Sequence, residues 1–229
     1  MSTTKKIGIL GGTFDPPHIG HLKLASHFAK LFHLDELLLI PSGEPWQKGS
    51  DITPAAIRFQ LTQAAAIDLT RALRYQQIPT QVGIDRIEID RSGPSYAIDT
   101  VKALRERYGA QASLIWLMGA DSFIQLPTWN DWKDLIRYVN FAVASRPQYD
   151  LQTELSPAVV HLLQSHQTRQ VSALESQASG LIYIDDSLAI DLSSTKLRLQ
   201  LKQSKSRPLN TDQIPSSTLQ IIANLGLYQ

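Results

Sequence analysis

Residues 7–22 read Ile-Gly-Ile-Leu-Gly-Gly-Thr-Phe-Asp-Pro-Pro-His-Ile-Gly-His-Leu, and the order of parts in that stretch constrains the fold most. Lys6–Leu10 is a short apolar run stopped by Gly11-Gly12, which predicts a buried strand. A proline turn follows. From Ile19 to about Phe32, the residues Ile19, Leu22, Ala25, Phe28, Ala29 and Phe32 recur at helical spacing. A strand that passes through glycines into a helix gathers backbone N–H groups and the positive end of a helix dipole around one small volume. Such a volume suits phosphate.

The rest of the chain repeats the alternation. Glu36–Pro41, Ser113–Met118, Asn140–Ala144 and Leu181–Ile184 are continuous apolar runs, of the kind covered on both faces in a parallel sheet. Gly83–Asp90 alternates apolar and charged residues and reads as a half-exposed strand. Thr53-Pro54 predicts a helix start, with Thr as N-cap, running to about Leu69. Ala97, Ile98, Val101, Leu104 and Tyr108 form one helical stripe. Short helical pieces are expected around Phe123 and over Trp129–Tyr138. Residues 146–180, rich in Gln and Ser, give the weakest pattern. A last helix, about Ser216 to Leu225, stops at Gly226. The expectation is α/β: one Rossmann-like, doubly wound parallel sheet with helices on both faces. Residues 1–229 form a single domain, ending in a small helical part from about residue 190. In such folds ligands bind beyond the carboxyl ends of the strands.

Bulk properties narrow the function. The 229 residues carry a net charge of +1 and no long basic tract, so nucleic-acid binding has little electrostatic support. Without cysteine there is no disulfide, thiolate nucleophile or cysteine-ligated metal. No apolar run approaches a membrane span, and the N-terminus lacks a signal-peptide pattern, so a cytoplasmic protein is expected. Self-association is left open.

The stretch around Gly11-Gly12 is neither Gly-x-Gly-x-x-Gly nor a Walker loop. His18 and His21, three apart, are expected on one helical face. They could chelate a metal, but no further ligand pattern completes a site, and phosphate donation fits them better. Leu192-Ser193-Ser194-Thr195-Lys196-Leu197-Arg198 places hydroxyls at a helix start with an arginine one turn on. Ser194 and Thr195 alone would read as a cap.

Taken together, Gly11–His21, the stretch Leu192–Arg198, Gly119-Ala120-Asp121-Ser122 and Pro127-Thr128-Trp129 resemble the signatures of the nucleotidyltransferases with a His-x-Gly-His core. Within that superfamily they are similar to the bacterial nicotinate-nucleotide adenylyltransferases, and family-like markers run through nearly the whole chain. The resemblance implies transfer of the adenylyl group of ATP to nicotinate mononucleotide. It casts His18, His21 and Arg198 as catalytic. Gly11, Gly12, Thr13, Phe14, Gly20, Gly119, Asp121, Ser194 and Thr195 would bind ATP. Ser42, Lys48, Tyr96, Ala97, Trp129 and Asn130 would bind the mononucleotide, with backbone N–H groups at Trp129 and Asn130 facing its carboxylate. Mg²⁺ would arrive with ATP, without a protein metal cage. Two positions depart from the pattern. Ala97 stands where Thr is common, and Trp46-Gln47 replaces Pro-His before Lys48. Both lie on the acceptor side, so nicotinamide mononucleotide or another phosphorylated acceptor stays open. A nucleotide-binding regulator without turnover is a further alternative, against which the presence of both histidines and Arg198 counts.

Overall fold

The computed structural model describes residues 4–46, 52–145, 151–188, 193–203 and 211–228. Strand β1 (Lys6–Gly12) leads through the proline turn into α1 (Ile19–Leu31), and β2 (Glu36–Pro41) into α2 (Ala55–Tyr75). Next come β3 (Gln81–Ile84), α3 (Ala97–Tyr108), β4 (Ser113–Gly119), α4 (Ala120–Ile124), α5 (Trp132–Leu135) and β5 (Asn140–Ala144). The chain continues through α6 (Leu151–Glu154), α7 (Pro157–His166), β6 (Gln167–Thr168), α8 (Val171–Ser176) and β7 (Ile182–Asp185). It closes with α9 (Ser194–Gln203) and α10 (Ser216–Leu225).

The strands lie in the order β3-β2-β1-β4-β5-β7-β6, and the pairings between neighbours are parallel. Strand order reverses at β1, so β1 and β4 flank the switch point, where loops diverge to opposite faces and leave a crevice. Alternation along each strand feeds two cores. Ile7, Ile9, Leu114, Trp116 and Met118 point into the layer completed by α3, α4 and α7. Leu10, Ile115 and Leu117 point into the layer of α1, α2 and α8. That two-sided burial is why these strands read as unbroken apolar runs. A third cluster joins Leu61 of α2 to Leu197 and Leu201 of α9 and Ile222 of α10. Among the described residues, no helix is long and apolar enough to cross a membrane.

Four boundaries differ from the sequence expectation, each for a physical reason. The glycine pair does not stop β1 but completes it, because Gly11 and Gly12 pair with Ile40 and Pro41. Helix α2 starts at Ala55 with Pro54 at the cap position and runs on to Tyr75. Thr53 does not cap it: its hydroxyl donates to the Tyr228 hydroxyl at 3.4 Å and its N–H to Asp15 at 3.2 Å. The alternating stretch 83–90 is mostly turn. There the Asp85 carboxylate accepts the Ile87 N–H at 2.9 Å, a local bond that competes with strand pairing. The poorly patterned residues from 151 to 180 hold short helices and the edge strand β6. The final helix ends as expected, with Gly226 left-handed at φ 60°.

Leu61 is fully buried where α2 meets α9 and α10. Leu61→Ala should therefore cost about 2–5 kcal/mol, read as a lower denaturation midpoint in urea at unchanged slope.

Candidate active site

Beyond the carboxyl ends of β1 and β4 opens a cavity of about 600 Å³, a size suited to a nucleotide-like ligand. Its floor is the β1–α1 connection. Gly11 has no room for a side chain, since a Cβ would stand 2.8 Å from the Trp116 ring. Phe14 is held left-handed at φ 50° and buried, a strained conformation for a bulky residue that costs of order 1 kcal/mol. Its ring sits edge-on to His21 at 5.0 Å. The Asp15–Pro16 peptide is cis.

His18 precedes α1 at its cap position rather than lying within the helix, and His21 is its third residue. The two rings stack at 3.7 Å, 23° apart. The His18 backbone N–H donates to Nδ1 of His21 at 3.1 Å. With Nδ1 accepting, the neutral His21 ring carries its proton on Nε2 as a donor. Burial pushes His18 down to about 4, and burial together with the neighbouring His18 holds His21 well below its ordinary value. At neutral pH both are uncharged imidazoles that donate without first losing a proton.

At one end of the cavity, α9 begins against the signature loop. Ser194 donates to the Pro16 carbonyl at 2.9 Å, and Arg198 donates to the Asp15 carbonyl at 2.6 Å. Gly12, Thr13, Gly20, Ser194, Thr195 and Arg198 all line the space, with the amino end of α1 close by. Gly119, the residue before α4, faces open room. Asp121, exposed in the first turn, also lines the cavity.

The other end is walled by Trp46, Ala97, Trp129 and Asn130. Trp116 and Trp129 meet edge to face at 6.0 Å. Ser42 lines this region, and its buried hydroxyl has no partner among the described residues. Gly43 approaches so closely that a Cβ would lie 2.2 Å from the Glu88 carbonyl oxygen. Its N–H and that of Glu44 both donate to the Ser95 hydroxyl. Two expectations change here. Tyr96 is not among the lining residues; it packs behind Trp46, ring centroids 6.1 Å apart. The Trp129 N–H is bonded to the Leu126 carbonyl at 2.9 Å, because Trp129 closes a 3₁₀ turn, which leaves the Asn130 N–H for a ligand. Lys48 lies outside the described residues.

Sequence reasoning missed three groups. Arg58 is 1% exposed and donates to the carbonyls of Thr53, Thr13, Ser42 and Gly43 at 2.6–2.9 Å. Its signal was present, since it falls on the same stripe of α2 as Leu61, Ala65 and Leu69. Glu88 is buried in the cavity wall, accepts from Thr100 at 2.7 Å, and is pushed up by burial. Asp15 is 1% exposed and touches three distant parts of the chain, Thr53, Arg198 and Tyr228.

The fold and cavity define a doubly wound α/β protein with a nucleotide-sized cavity and hydrogen-bond donors gathered at the switch point. Residues 9–200 match the family model described as cytidylyltransferase-like. The probable nicotinate-nucleotide adenylyltransferase of Herminiimonas arsenicoxydans is 35% identical over 228 residues, covering 100% of this chain and 99% of that protein. Its namesake from Aeromonas salmonicida is 36% identical, with 97% of each chain covered. A solved Plasmodium falciparum nicotinic acid mononucleotide adenylyltransferase complexed with NaAD superposes at a TM-score of 0.72, over 98% of this chain and 97% of that one. At 16% identity it shows a shared fold. The chain belongs to the cytidylyltransferase-like family, among the nicotinate-nucleotide adenylyltransferases.

Two outcomes follow from the buried groups. An unfolded histidine titrates near 6.5, whereas folded His18 titrates at about 4. Between these values the unfolded state binds a proton that the folded state refuses, so stability held above pH 6.5 drains as pH falls. The loss is about 3 kcal/mol for His18. His18→Asn should flatten the fall in thermal midpoint over that window. Arg58→Met strips four carbonyls, that of Ser42 buried and the others partly so, of their donor and should cost about 3–5 kcal/mol by urea denaturation.

Proposed function

We infer that this chain transfers the adenylyl group of ATP to nicotinate mononucleotide, giving nicotinate adenine dinucleotide and pyrophosphate in NAD biosynthesis. The observation that carries the reading is the stacked His18–His21 pair, which lines one cavity together with the Gly11–Phe14 loop, Ser194, Arg198 and Trp129.

ATP takes the end formed by Gly11, Gly12, Thr13, Phe14 and Gly20, with Gly119 and Asp121 on its nucleoside side. Ser194, Thr195 and Arg198 meet the β- and γ-phosphates, where the guanidinium offers charge-assisted donors. Mg²⁺ enters with ATP as part of the substrate, and these hydroxyl and guanidinium donors suit a triphosphate that brings its own cation. Nicotinate mononucleotide takes the other end, its ring against Trp129 and its carboxylate toward the Asn130 N–H. The orphan Ser42 hydroxyl is a further donor, and Lys48 is assigned to the mononucleotide phosphate.

The mononucleotide phosphate is ionised at neutral pH and attacks the α-phosphorus of ATP in line. A phosphate oxygen–phosphorus bond forms, the bond from the α-phosphorus to the bridging oxygen breaks, and the electron pair leaves with pyrophosphate. No side-chain nucleophile or strong base is needed. The enzyme supplies alignment and stabilises the charge growing on the α-phosphoryl oxygens, which His21 Nε2–H and His18 face as neutral donors. The same reading expects a cytoplasmic enzyme, since both substrates are highly charged.

His21→Ala should lower pyrophosphate release about 100-fold or more, while circular dichroism stays unchanged. Normal turnover in that variant would remove His21 from the mechanism. With the unaltered protein and ATP, nicotinate mononucleotide should support release at least about tenfold faster than nicotinamide mononucleotide, because the Asn130 N–H favours a carboxylate over an amide. Release that ignores the acceptor would refute the proposed transfer.

A further inference from the structure

The penultimate residue of the chain reaches the centre of the signature loop. Tyr228 donates its hydroxyl to Oδ1 of Asp15 at 2.6 Å, across 213 positions of sequence. Two left-handed residues bring it there: Gly226 at φ 60° and Tyr228 itself at φ 61°. For a tyrosine that conformation is strained, and the contact offsets the strain. Leu227 and the Tyr228 ring also pack against the cluster of Leu61, Leu197 and Ile222.

Asp15 passes the restraint on. Its carboxylate is 1% exposed, receives the Thr53 N–H at 3.2 Å, and stands 3.8 Å from the Arg198 guanidinium. The same guanidinium nitrogen, Nη1, donates to the Asp15 carbonyl at 2.6 Å. Arg198 is thus anchored by one nitrogen on Asp15, while the residue lines the cavity. Burial and the adjacent carboxylate push the Tyr228 hydroxyl well above its ordinary value, so it remains a donor across the working pH range.

We propose that Tyr228 is a positioning residue for ATP: by holding the Asp15 carboxylate it fixes Arg198 toward the triphosphate. Tyr228 is thereby part of the site without touching substrate. This rests on the reading of Arg198 as a triphosphate ligand.

Tyr228→Phe keeps the ring and removes only the hydroxyl. It should lower kcat/KM for ATP about tenfold, with KM for nicotinate mononucleotide within about twofold of the unaltered enzyme. In an Arg198→Lys background the same substitution should change kcat/KM for ATP by less than about twofold, because the two residues act through one contact. Asp15→Asn, which keeps the carbonyl that holds Arg198, should reproduce the ATP-side loss and be non-additive with Tyr228→Phe. An equal loss in both Arg198 backgrounds overturns the proposal. So does unchanged kcat/KM, or a parallel rise in both KM values that tracks a lower thermal midpoint. Equilibrium dialysis of ATP without acceptor separates the two readings. If the unaltered chain binds ATP but transfers to no mononucleotide, the reaction assignment fails. A dialysis Kd for ATP about tenfold weaker in Tyr228→Phe still supports the positioning role, and an equal Kd overturns it.

Discussion

A guanidinium with almost no solvent contact persists only if its N–H groups find oxygen, and Arg58 finds four backbone carbonyls. Those carbonyls belong to two connections: Thr13 lies in the loop after β1, and Ser42, Gly43 and Thr53 lie at the two ends of the connection from β2 to α2. Loops ordinarily have the freedom to move independently of the sheet beneath them. Tying both ends of one loop and the start of the other to a single buried cation fixes them relative to one another, and the remaining site geometry is built on it. Thr13 and Ser42, both lining the cavity, are held through the very carbonyls that Arg58 binds.

Charge balance follows from the same choice. A buried cation favours a nearby anion, and Asp15 supplies it, just as Asp15 also meets Arg198 from the far side of the cavity. This end of the cavity is therefore organised from beneath by a buried polar network, while Thr13, Ser194, Thr195 and Arg198 line its surface. At the other end the restraint is different in kind. There the Gly43 and Glu44 N–H groups donate to the Ser95 hydroxyl and clip two loops together, and aromatic rings form the wall. Rigid donors serve a reacting phosphate, where small displacements cost rate. Aromatic surface serves a flat heterocycle, where area matters more than exact placement.

Much of this was legible in the residues. The buried strands could be read because two covered faces demand unbroken apolar runs, and β2 and β5 fall at their expected limits. The histidine pair and the Ser194–Arg198 turn were visible because short motifs keep their members within one turn of helix. What escaped was of two sorts. At Asp85 a side chain captured a nearby N–H, turning an apparent strand into a turn, and Thr53 left its cap role for a distant hydroxyl. Arg58, Glu88 and Asp15 escaped because a charged residue in sequence looks solvated. Only burial and partner oxygens reveal otherwise.

By itself the sequence determined the alternation of strands and helices, the place of the signature loop beyond the carboxyl end of a strand and the stop at Gly226. These are consequences of backbone geometry acting over a few residues, and apolar spacing records them. The tertiary structure decided which polar groups meet: Tyr228 with Asp15, and Arg58 with the loops after β1 and β2. Such pairings depend on how distant segments are brought together, and each becomes strong only after water is excluded. No local pattern encodes that exclusion, because it is a property of the assembled fold.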